Sequence, residues 1–124
     1  MLSSATYQLL HVLGFILVFM ALGALSLHAM NGGTRDSNGA RALVAITHGL
    51  GILLILVAGF GMLARLGAMS GGMPGWVWVK VFVWLLLAGL IVVPYRKPEW
   101  GRALWFALPI LGVIAAASVL YRPA

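Results

Sequence analysis

Polar and apolar positions along this chain fall into long blocks rather than alternating. Four apolar runs, roughly Tyr7–Met30, Arg41–Leu66, Gly75–Pro94 and Arg102–Tyr121, are separated by three short polar segments. Each run is about 20 residues or longer, enough for a helix rising 1.5 Å per residue to cross a hydrocarbon layer of roughly 30 Å. Backbone groups in lipid must be paired within their own segment, so each run predicts a helix. A membrane barrel would need segments of about ten residues with alternating polarity, and none occurs. The pattern predicts an all-α, integral membrane four-helix antiparallel bundle forming a single domain, 1–124, since short connections make each helix antiparallel to the one before it.

The connections carry turn chemistry. Asn31–Ala40 reads NGGTRDSNGA, Gly67–Pro74 reads GAMSGGMP, and Pro94–Gly101 reads PYRKPEWG. Gly and Asn tolerate positive φ, Asp and Ser bond back to the local backbone, and Pro94 and Pro98 stiffen the third link. Aromatic residues gather at the run ends: Tyr7, Trp76, Trp78 and Tyr121 at one end, Tyr95, Trp100 and Trp105 at the other. That is where amphipathic rings settle at a lipid–water boundary. Small residues mark expected helix contacts: Gly14 with Ala21, Gly51 with Gly59, and Gly112 with Ala116. Pro109 is expected to kink the fourth helix.

Composition sharpens the picture. In 124 residues, 63% are hydrophobic, and a water-soluble domain this small could not hide them. Met1–Gln8 lacks Lys and Arg, and the first apolar core is too long for a removable export signal, so it is expected to remain as helix 1. With the termini on side A, that side holds Arg65, Lys80 and Arg122, whereas side B holds Arg35, Arg41, Arg96, Lys97 and Arg102. The excess on side B favours side B in the cytoplasm and both termini outside. Basic flanks facing anionic lipid account for the net charge of +6, so nucleic acid is not needed as a partner.

The inventory also excludes chemistry. With no cysteine, there is no disulfide framework, thiolate-held cluster or covalently attached haem. The two carboxylates, Asp36 and Glu99, lie in side-B connections, which excludes a carboxylate-bridged di-iron site, a buried acid relay and a Ser–His–Asp triad.

Three histidines and Lys80 remain as ionisable groups able to reach the interior, and such groups within membrane spans call for a functional hypothesis. His28 shares a seven-residue stripe with Gly14 and Ala21. His48 lies two turns into helix 2 near Ala45, Gly51 and Gly59. Imidazoles on adjacent antiparallel helices at similar depth could clamp a b-type haem iron between them. The bland alternative is that each histidine bonds a helix carbonyl. On side A, His11 and Lys80 form a second candidate pair able to meet an anionic group such as a haem propionate, a quinone oxygen or a lipid phosphate. Trp76, Lys80 and Trp84 stack at i, i+4 on one stripe, and Lys80 could equally snorkel to the surface.

The runs LLHVLGFILVFMALGALSLHAM and GWVWVKVFVWLLLAGLIV, with the closing SVLYRP, resemble the small four-helix inner-membrane families related to copper-resistance protein D. These include the SirB-type invasion regulators and the four-helix protoporphyrinogen oxidases. The carriers of the resemblance are His11 near the start of helix 1 and Gly75-Trp76 with Lys80 opening helix 3. It implies a bacterial inner-membrane location and a haem- or metal-handling role. The chain lacks the second, more distant histidine of the oxidases, so it does not extend to their activity. Met62, Met69 and Met73 on side A, and His28 with Met30 on side B, supply a copper variant, because thioether and imidazole suit Cu(I).

The leading expectation is therefore a non-catalytic inner-membrane protein holding haem b through His48, His28, His11 and Lys80, with His48 and His28 as metal ligands. The alternative is an accessory subunit that packs on a larger membrane complex or on a second copy. A transporter would favour internal repeats, and none is evident. An enzyme would need more acid–base groups than His11 and Lys80.

Overall fold

The computed structural model describes residues 2–67 and 71–122. Helix α1 (Ser4–Met30) is followed by α2 (Arg41–Leu66) and α3 (Gly75–Gly89). A 3₁₀ turn over Leu90–Val92, the short α4 (Val93–Arg96) and a second 3₁₀ turn over Pro98–Trp100 lead into α5 (Gly101–Leu120). Four stretches are long and apolar enough to cross a membrane, namely Ser4–Met30, Arg41–Leu66, Gly75–Arg96 and Pro98–Leu120, with mean hydropathies of 2.3 to 2.4.

The helix ends follow local chemistry. α1 begins before Tyr7 because Ser3 caps it, its hydroxyl accepting from the Thr6 amide at 3.2 Å. α2 stops at Gly67, whose φ of +68° is the left-handed conformation that closes helices and that other residues adopt at a cost. The third connection is mostly helical instead of open. Pro94 and Pro98 each sit in the first turn of a new helical segment, where the missing N–H is not needed, so little more than Lys97 interrupts the helix. At Pro109, α5 continues as an α-helix through the proline.

Antiparallel order is visible in which residues meet. Along α1, Tyr7, His11 and Gly14 face Gly61, Gly59 and Gly51 of α2, so one number falls as the other rises. The same inversion relates His48 and Ile52 of α2 to Leu87 and Trp84 of α3, and Ser26 and Phe19 of α1 to Gly101 and Gly112 of α5. The spans therefore close an up-down-up-down ring. Its core is drawn from all four: Val18 and Leu22, Ile55, Val83 and Leu87, and Leu104, Leu108 and Ala115.

Glycines set how close the ring draws. A Cβ on Gly14 would lie 2.8 Å from Gly51 O and 2.9 Å from Ile55 N, so the α1 and α2 backbones touch. The expected small-residue faces hold for Gly14, Ala21 and Gly51, which are buried. They do not hold for Ala45 and Ala116, which are exposed, and Gly112 instead packs on Phe19. Outward, the bundle is apolar: Leu43, Ile46, Leu53, Phe82, Phe106 and Val113 are all more than half exposed. Leaving a side chain of this kind in water costs roughly 1.5–3 kcal/mol relative to burial, so this exterior matches an apolar solvent.

Candidate functional site

Polar side chains inside the ring reach across helices to backbone carbonyls. His48, 5% exposed, donates from Nε2 to Leu87 O at 2.9 Å. That carbonyl lies where the α ladder of α3 gives way to the 3₁₀ turn, so the imidazole supplies a partner at a helical irregularity. Trp84 Nε1 donates to Ile52 O at 2.9 Å, a second stitch between α3 and α2. Among the described residues, no buried side-chain polar atom lacks a partner.

His28 behaves differently. Its Nε2 donates to Thr34 O at 2.8 Å and lies 3.4 Å from Ser37 Oγ, so the ring fastens the first connection back onto the end of α1. Gly33 packs against the His28 ring so closely that a Cβ there would collide with it. Asn38 extends the same network by donating to Tyr95 Oη at 2.8 Å. As they stand, His28 and His48 do not form the expected haem clamp. Each has its Nε2 committed to a backbone carbonyl, and the two carbonyls belong to different parts of the fold.

The second expected pair does come together. His11, 7% exposed, donates from Nδ1 to Ile55 O at 2.9 Å. A carbonyl can only accept, so in the neutral ring Nε2 carries the free lone pair. Lys80 Nζ donates to that lone pair at 3.4 Å. Gly59 makes room for the ring, since a Cβ there would stand 3.1 Å from His11 Cε1. Phe15, one turn along α1, meets the imidazole edge-on with centroids 4.9 Å apart.

His11 and Lys80 open onto a cavity of about 360 Å³ at the side-A end of the ring. All four spans line it: Phe15 from α1, Ile55 and Met62 from α2, Trp84 from α3 and Ala115 from α5. Trp76 and Arg122 complete the wall toward the surface. The Arg122 guanidinium stacks over the Trp76 ring at 5.3 Å and donates to Val119 O at 2.7 Å. Four residues separate Trp76 from Lys80, so the two cationic side chains mark depths about 6 Å apart along α3. No side-chain carboxylate answers them: Glu99 lies in the third connection and Asp36 in the first, 3.6 Å from Arg41, both toward the opposite end.

The stripe Trp76–Lys80–Trp84 was legible from spacing, and the meeting of Lys80 with His11 followed from their shared end. The cavity itself, Phe15 and the Arg122 cap were missed. Arg122 was accessible to reasoning, because an up-and-down ring returns the end of its fourth helix to the level of Trp76. Of the copper set, Met69 lies outside the described residues and Met62 lines the cavity. Among the described residues, no three His, Cys, Asp or Glu side chains gather as a metal site.

No protein-family model, curated protein or solved structure matches this chain.

Proposed function

We propose that the chain is a multi-pass protein of the bacterial inner membrane that binds a mostly apolar small molecule in the side-A cavity. The role is one of holding or handing on rather than of chemistry. One observation carries the reading: an aromatic and aliphatic cavity of about 360 Å³ with a few convergent polar groups at one level. Ligand sites have that make-up and a volume of roughly 300–1,000 Å³. The polar repertoire, His11, Lys80 and Arg122, supplies donors and one lone pair but no acid to work against them.

The haem expectation moves accordingly. His11 is the imidazole whose lone pair faces a cavity, and Lys80 and Arg122 are groups that could meet acidic substituents. The cavity of about 360 Å³ lies toward the lower end of the roughly 300–1,000 Å³ typical of ligand sites. A smaller ligand is therefore the better match.

The test is purification in mild detergent from cells supplied with haem, followed by an absorbance spectrum, solvent extraction and mass spectrometry. The proposal expects a stoichiometric small apolar molecule, retained by the native chain and reduced when Ala115→Trp fills the cavity floor. A chain that carries nothing, and takes up no apolar probe, refutes it.

A further inference from the structure

Within the cavity, His11 and Lys80 present two unlike nitrogens side by side. The tautomer is fixed by Ile55 O, so His11 offers an acceptor, while Lys80 offers N–H donors 3.4 Å away. Lys80 is half-buried, and the two side-chain carboxylates of the chain, Asp36 and Glu99, lie toward the opposite side. Its donors otherwise spend themselves on one long hydrogen bond. The cavity continues inward past this pair to Phe15, Ile55, Trp84, Leu87 and Ala115, without another free polar group among them. Toward the surface, Arg122 lies flat on Trp76, a second positive group at the mouth.

We propose that the ligand is a single-chain carboxylate, an amphiphile whose acid group binds between Lys80 and His11 and whose apolar tail fills the inner cavity. This rests on the preceding reading that the cavity holds a ligand, and it names the ligand's class. A carboxyl group matches both partners. Its oxygens accept from Lys80 Nζ, and in the protonated form its O–H donates to His11 Nε2, so neither nitrogen is left without a partner. An alcohol oxygen can also bridge the two, but it brings no negative charge to answer Lys80, and an ester can satisfy only Lys80. Arg122 supplies positive potential along the entry route and favours the anion on approach. A cavity toward the small end of the ligand-site range suits one single-chain ligand.

Native mass spectrometry from a neutral maltoside detergent tests this, with dodecanoate, dodecanol and protoporphyrin as probes. The native chain is expected to take up one dodecanoate and to prefer it over dodecanol by about ten-fold or more, the scale of a charge-assisted hydrogen bond. Lys80→Met should erase that preference while dodecanol uptake persists, and Lys80→Arg should retain it. Far-ultraviolet circular dichroism of each variant confirms the helices. Equal binding of the acid and the alcohol, or an unchanged preference in a folded Lys80→Met chain, overturns the inference and leaves the cavity reading standing. Uptake of protoporphyrin in place of dodecanoate overturns it in favour of a porphyrin acid. Failure of every probe to bind refutes both readings together.

Discussion

The contact between α1 and α2 gives a sharp forecast at Gly14. In Gly14→Ala, the new methyl would stand 2.8 Å from Gly51 O and 2.9 Å from Ile55 N. Both are backbone atoms of a continuous helix, so neither can swing aside and the helices must part. Overpacking of this kind costs about 1–3 kcal/mol. Replacing a helix glycine by alanine also brings about 1 kcal/mol of helix propensity, which blurs the single measurement. Gly23→Ala removes that ambiguity, because it lies in the same helix and its methyl would meet only Trp105 at 3.9 Å, an ordinary contact. Both variants share the propensity gain, so their difference isolates the packing penalty, about 1–3 kcal/mol. At 2 kcal/mol, that is roughly a thirty-fold change in the folded-to-unfolded ratio. Unfolding by added sodium dodecyl sulfate in mixed micelles, followed by circular dichroism, measures it. Adding Gly51→Ala to Gly14→Ala should cost less than the sum of the singles, because helices parted for one methyl make room for the other. A Gly14→Ala chain as stable as Gly23→Ala would refute the close approach of the two backbones.

The remaining forecasts concern the polar stitches. His48→Leu removes the bond to Leu87 O and should cost about 0.5–1.5 kcal/mol in the same titration, whereas a loss within error would show that the bond is not holding α2 to α3. Trp84→Phe removes the neighbouring bond and should cost about 0.6–2 kcal/mol, with the aromatic packing largely kept. Gly33→Ala should displace the His28 ring and speed amide exchange over residues 34–38 while hardly changing global stability, and unaltered exchange there would contradict the fastening role. Any haem the chain does acquire should depend on His11. Its Soret band is expected to vanish in His11→Ala and survive in His48→Ala, and the reverse result would restore the original clamp.

Hydropathy alone read the number, length and order of the spans, because the block pattern in a chain like this is coarse. Which face of each helix turns inward was far less legible. Every face is apolar here, so inward and outward positions differ in size and fit rather than in polarity. Gly14 and Gly51 were readable on that basis, but Ala45 and Ala116 are just as small and lie on the outside. His28 and His48 illustrate the same limit. Their partners, Thr34 O and Leu87 O, are backbone atoms that no side-chain pattern announces. His11 with Lys80 succeeded because both sit near the same end of helices that short links force together. The cavity could not be foreseen, since it is the space left when four registers are set at once.

The two side-chain bonds that join α2 to α3 lie at Ile52 and Leu87, toward the middle and the side-B half of the helices. Above them, the same two helices are held apart by the hollow. The pair thus resembles tongs, gripped beyond the midpoint and joined at the cavity end by the short 67–74 link. Among the described residues, no side-chain bond runs directly from α2 to α3 at that upper end, so the girth of the hollow is set by packing and by the length of the link.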